Sequence, residues 1–140
     1  MKECEFCRVV AGEREVNTLY ENESAVAFLD RNPAARGHTL VVPRTHHECL
    51  FTGDGSTVTA VFGTVQRVVG GMNRTLNPDG ISLFYTSGEL VGRVTHAHVH
   101  LLPRYADDQV HVSLARGRLD DDAERLAARL RGECATPTGE

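Results

Sequence analysis

The segment His96-Ala97-His98-Val99-His100-Leu101-Leu102 constrains the fold more than any other part of the chain. Ionisable rings alternate with apolar side chains at a period of two, and successive side chains of a β-strand point to opposite faces. The pattern predicts a strand over 95–104 with His96, His98 and His100 on one face. Ala97, Val99 and Leu101 then anchor the other face in a core. Strand rise alone sets neighbouring rings ~6.5–7 Å apart, near enough to share a ligand and too far for a direct hydrogen bond. Packing supplies no reason to repeat an imidazole three times, so the segment reads as a site as well as a strand.

The rest of the chain supplies the sheet for that strand. Apolar runs at 19–21 and 24–29 predict two strands joined by a tight turn at Glu21-Asn22-Glu23, with Ala25, Ala27 and Leu29 on one face and Val26 and Phe28 on the other. Asn32-Pro33 ends the second. Further strands are predicted over 38–43 and 81–85. Apolar residues at 58, 61, 62, 65, 68, 69, 72 and 76 have helical spacing and predict one helix over 56–76. Gly63, Gly70 and Gly71 each oppose it by ~1 kcal/mol relative to Ala, so packing must hold it. Residues 4–11 form a short helix or turn around Cys4 and Cys7, and a second helix is expected over 119–130, with three aspartates in its first turn. Strands that follow one another around one long helix imply an α+β domain: an antiparallel sheet of about five strands, helices on one side, spanning 1–131 and followed by a flexible tail over 132–140.

Composition limits the function. The chain has 140 residues and a net charge of -4, which disfavours tracking a nucleic-acid backbone. A single phosphate held by a few local donors is compatible with it. Apolar runs such as Leu40-Val41-Val42 are too short to span a bilayer, and the first residues do not read as a signal peptide. The expected location is the cytoplasm, without a membrane partner. There the four cysteines, Cys4, Cys7, Cys49 and Cys134, are metal ligands or free thiols rather than a disulfide framework.

Two chemistries suit three histidines on one face. One is a catalytic zinc bound by all three imidazoles. The other is a nucleophilic imidazole that attacks phosphorus, flanked by rings that orient it and donate to the developing charge. Cys4-Glu5-Phe6-Cys7 separately chelates zinc well but provides only two of four ligands, leaving histidines to complete a site. The candidates are His38, His46, His47, His96 and His111.

The run from His96 to Arg104 resembles the signature of the histidine-triad (HIT) nucleotide hydrolases and transferases. Three more segments resemble that family in the same order: 4–13 around the two cysteines, Ala27-Phe28-Leu29-Asp30, and 37–46 from Gly37-His38 to His46. The branch is similar to small bacterial HINT-like proteins. The resemblance implies a HIT-like fold and hydrolysis or transfer at a nucleoside 5′-phosphate, a purine favoured, with His98 as nucleophile and His100 on the α-phosphate. It implies Phe28 and Asp30 in the nucleoside pocket, the aspartate on the ribose hydroxyls. It also implies a structural zinc on Cys4, Cys7, His46 and His96, with His47 as the rival to His46, and a homodimer formed through the long helix and one strand.

Two departures from the family stand out. The loop over 85–95 lacks the amides that usually hold phosphate; Ser87 and Arg93 stand near their positions. Arg31 follows Asp30 where the family has an apolar residue against the base. An alternative reading is therefore a nucleotide-binding module with altered or lost catalysis.

Overall fold

A computed structural model of the chain describes residues 4–88, 95–118 and 122–136. The chain forms two compact units, Met1–Val110 and His111–Glu140. In the first, the order is α1 (Glu5–Val10), β1 (Thr18–Glu21), β2 (Ala25–Leu29), β3 (Thr39–Pro43), α2 (Gly55–Leu76), β4 (Gly80–Phe84) and β5 (Val99–Arg104). The five strands make one antiparallel sheet in the order β1-β2-β3-β5-β4.

Local chemistry explains the joints. The Asn22 carboxamide accepts the N–H groups of Ser24 and Ala25 and turns β1 into β2. Asp54 caps α2 by accepting the Ser56 N–H, and Asn77 ends it in the left-handed region at φ 49°. Gly37 has φ +90°, and a Cβ there would lie 2.6 Å from Leu76 Cδ1 and 3.0 Å from Pro103 Cγ. Only glycine fits this tight approach, which sets the chain into His38 and β3.

β2 is buried on both faces, and this corrects the expectation of helices on one side. Ala25, Ala27 and Val41 pack under α2 with Val61, Val65, Val68 and Met72. Val26, Phe28, Leu40 and Val42 pack on the opposite face with Phe6 and Val9 of α1. Period-two alternation cannot tell which face a helix covers; here both do, on opposite sides. Ala97, Val99 and Leu101 lie in the α2 core, as the histidine pattern requires.

The expected strand over 95–104 is shorter, since pairing begins at Val99 opposite Val41. Ala97 N–H is taken by the His47 carbonyl at 2.7 Å, so His96 and His98 precede the ladder. In the second unit, α3 (Ala123–Cys134) is capped by Asp122, which accepts the Glu124 and Arg125 N–H groups. It runs past Gly132, where the sequence suggests a loose tail. Among the described residues no helix is long and apolar enough to cross a membrane.

Candidate active site

The sheet register assembles the site. Phe28 pairs with Leu40, and Leu40 with His100, so the three form one row across β2, β3 and β5 on the α1 face. They line a cavity of about 540 Å³ with His98, Asp30, Phe6, Val9, Glu5, Arg14 and Arg31 among others. Four residues singled out from the sequence, Phe28, Asp30, His98 and His100, therefore share one cavity. Ser87 does not line it; a backbone bond from Phe51, then side-chain bonds from Tyr85 and Ser87, hold the Cys49 thiol below its usual range against its burial. Arg93 lies outside the described residues.

The His98 and His100 ring centroids are 5.1 Å apart, closer than a flat strand allows, because His98 stands before the ladder starts. His98 Nδ1 lies 2.9 Å from the His96 carbonyl. A carbonyl only accepts, so Nδ1 carries a proton, and in the neutral ring the lone pair lies on Nε2. Phe6 packs edge-on against the same ring at 5.1 Å. Bond and packing together fix the direction in which that lone pair points.

His100 is held differently. The Ala34 backbone N–H donates to His38 Nδ1 at 3.0 Å. His38 must then carry its proton on Nε2, which lies 2.9 Å from His100 Nδ1. His100 consequently accepts at Nδ1 and bears its proton on Nε2. Burial first, then the neighbouring His98 and His38, lowers the His100 pKa to about 4, with Asp30 opposing. Burial also lowers His38, again against Asp30. Both rings are neutral at pH 7, and His100 offers an N–H donor. Asp30 splits its carboxylate: Oδ1 accepts the Asn32 N–H at 2.8 Å, a turn cap, while Oδ2 stands 3.4 Å from His38 Nε2. The role of His38 in setting its neighbour's tautomer is not visible in the sequence, where it is one of several histidines; the Gly37-His38 step entering β3 is its only signal.

The second cluster brings Cys4, Cys7, His46 and His96 together, their ligand atoms all within 4.8 Å of one another. Cys4 Sγ and Cys7 Sγ lie 3.4 and 3.5 Å from His96 Nδ1, and Cys7 Sγ lies 3.3 Å from His46 Nδ1. Tetrahedral zinc with ordinary bond lengths sets sulfur and nitrogen about 3.5 Å apart. His96 is fully buried and its Nε2–H donates to the Pro43 carbonyl at 2.8 Å. That is the outer bond expected of a ligating imidazole, and it leaves Nδ1 for the ion. Burial and the adjacent Cys4 push the Cys7 thiol up, a cost that a bound divalent cation removes. His47 instead gives its carbonyl to Ala97.

Asp30, His38 and His100 form another trio with ligand atoms within 4.8 Å. Here the outer hydrogen bond is wrong for a metal: Ala34 donates to His38 Nδ1, which puts the proton on the nitrogen that would have to bind. The three triad imidazoles themselves form no such group among the described residues, so the geometry gives the three-histidine zinc no common position.

The HIT domain family's profile matches residues 11–107. The chain belongs to the HIT family. The adenylylsulfatase HINT3 of Arabidopsis thaliana is 30% identical over 141 residues, covering 96% of this chain and 72% of that protein. A HIT family protein of Bacillus subtilis superposes with a TM-score of 0.85 at 28% identity, covering 99% of this chain and 100% of that one. A zinc-bound histidine triad family protein of Mycobacterium smegmatis superposes with a TM-score of 0.71 at 31% identity, covering 95% and 97% of the two chains. This HIT chain thus pairs the family fold with a Cys/His cluster of zinc type.

Proposed function

We propose that the protein cleaves a nucleoside 5′-phosphate from its leaving group through a nucleotidyl-His98 intermediate. The substrate class we favour is a mixed anhydride. The bond from His98 Nδ1–H to the His96 carbonyl supplies the carrying observation, since it puts the lone pair of the neutral ring on Nε2. In the first step Nε2 attacks phosphorus, an N–P bond forms and the bond to the leaving group breaks. The His100 Nε2–H donates to a non-bridging oxygen as charge builds there, and the His96 carbonyl steadies the remaining Nδ1–H of His98. Water then attacks phosphorus, the N–P bond breaks with its electron pair returning to Nε2, and a nucleoside monophosphate and a proton leave.

The leaving group follows from the same hydrogen bonds. His38 and His100 are locked neutral and cannot act as imidazolium acids. An acidic anion such as sulfate departs without a proton, whereas an amine needs one. The similarity to an adenylylsulfatase supports this choice. Cys4, Cys7, His46 and His96 would hold zinc as a closed structural site, fastening α1 to the start of the triad. Homodimerisation fits the exposed Phe62 of α2 and Leu83 of the edge strand β4, 37% and 41% accessible, and solution mass measurement tests it.

The test compares adenylyl sulfate with an adenosine phosphoramidate, using wild type and His98→Ala. Faster turnover of the anhydride and loss of at least ~10³-fold in the variant are expected. Unchanged turnover in His98→Ala sinks the mechanism. The alternative, a binding module with lost catalysis, draws on Ser87 facing Cys49 rather than the cavity. It predicts nucleotide binding with no phosphate trapped on His98.

A further inference from the structure

We propose that Arg31 is a specificity-determining residue of the cavity, its guanidinium leaving its loose pairing with Glu5 to stack on the outer face of an aromatic base. The inference rests on the nucleotide reading above and identifies the part of the ligand that the cavity mouth takes. Phe6, Val9, Phe28 and Leu40, only 3–7% accessible, form an apolar floor. A planar ring laid on that floor has one face left open. Two charged side chains meet there from different walls. Glu5 comes from the first turn of α1, and Arg31 comes from just beyond the end of β2.

Arg31 Nη2 lies 3.7 Å from Glu5 Oε2, and Arg14 pairs with the same carboxylate oxygen. The Arg14 side chain is 19% accessible and that of Arg31 is 74%. Arg14 therefore anchors the carboxylate, and Arg31 is the partner free to move. An exposed ion pair adds little to stability, so the guanidinium swings aside for an entering ligand at small cost. A guanidinium is planar and weakly hydrated and stacks well on aromatic faces. Asp30, the immediate neighbour of Arg31, presents its carboxylate in the same cavity. A ribose held there brings its base within one residue's reach of Arg31. Recognition then depends on the π-face of the base: purine nucleotides are preferred to pyrimidine nucleotides, and a sugar phosphate without a base does not engage Arg31.

Calorimetric titration of the full chain with AMP, UMP and ribose 5-phosphate tests this on wild type, Arg31→Ala and Arg31→Lys. Arg31→Ala is expected to weaken AMP about tenfold, UMP less, and ribose 5-phosphate not at all. Arg31→Lys is expected to stay within about threefold of Arg31→Ala for AMP, because an ammonium has no stacking plane. Unchanged AMP affinity in Arg31→Ala overturns the proposal. So do equal losses for AMP and ribose 5-phosphate, which would make Arg31 a phosphate ligand, and full retention by Arg31→Lys. A wild type that binds none of the three overturns the nucleotide reading itself, and the proposal with it.

Discussion

Replacing His38 by Phe tests whether the tautomer of His100 is set by its neighbour. The ring is only 7% accessible, and Phe keeps its approximate size, so the cavity term is small. What disappears is the 2.9 Å bond from His38 Nε2–H to His100 Nδ1, together with the 3.0 Å bond that His38 Nδ1 accepts from the Ala34 N–H. A half-buried acceptor left without a donor costs ~1–3 kcal/mol, which lowers Tm by about 3–4 °C per kcal/mol in a chain this long. His100 still titrates low, because burial rather than His38 is the leading cause of its depression. The functional loss therefore comes from orientation and not from charge. A bond of net worth ~1 kcal/mol biases the tautomer about fivefold, so the competent form falls from about five rings in six to about half, and kcat is expected to fall about twofold with little change in KM. Imidazole ¹⁵N shifts should show His100 protonated at Nε2 in wild type and divided between both nitrogens in the variant. An unchanged tautomer would refute the reasoning. A loss as large as that of His98→Ala would do so too, since it would make His38 a participant in the chemistry.

Other outcomes follow from the same geometry. His100 stays neutral in the folded state down to about 4, whereas its ordinary value is 6.5. The unfolded state then binds more protons between those values, so stability falls as pH drops from 6.5 to 4 and levels off below, by ~3 kcal/mol for this group. Urea titrations at both ends should show less acid sensitivity in His100→Gln than in wild type, and equal sensitivity would be the contrary result. Chelation of the proposed zinc, or Cys7→Ser, should lower Tm and speed amide exchange in α1. At an ion concentration of a thousand times Kd the loss is ~4 kcal/mol, and no change on chelation would remove the metal from the account. Gly63→Ala should raise stability by ~1 kcal/mol, because a Cβ there meets nothing within 4 Å; a lower Tm would mean that a partner covers that face.

Much of the site was readable along the chain because strand geometry is local. Alternation places Ala97, Val99 and Leu101 in the core and His98 and His100 on the opposite face, and nothing distant is needed to know it. The C-x-x-C spacing likewise marks a chelating pair. Spacing alone did not separate His46 from His47, and the choice of His46 came from the resemblance, since both follow the end of β3 and register there depends on how the loop closes. The Ala97 N–H bond to the His47 carbonyl settles that closure. Phe28 and Asp30 each proved to fill two roles, in core and cavity or in turn cap and cavity, because β2 is buried on both faces and the cavity opens where it ends.

The protonation pattern belongs to the three-dimensional structure. An imidazole in a sequence has two equivalent options for its proton, and only a partner of fixed sense, placed by the fold, removes one. The His96 carbonyl does so for His98, Pro43 for His96, and the Ala34 N–H for His38 and, through it, His100. The mouth of the cavity is another product of folding, since Glu5 and Arg31 are 26 positions apart and meet because α1 packs on the β2 face. The sequence by itself determined the strand, its two faces and the residue types available for chemistry. Only the fold decided which nitrogen carries each proton and which charges meet across the cavity, because both depend on how the backbone bends at His38 and His96 and on which side chains it brings together from far along the chain.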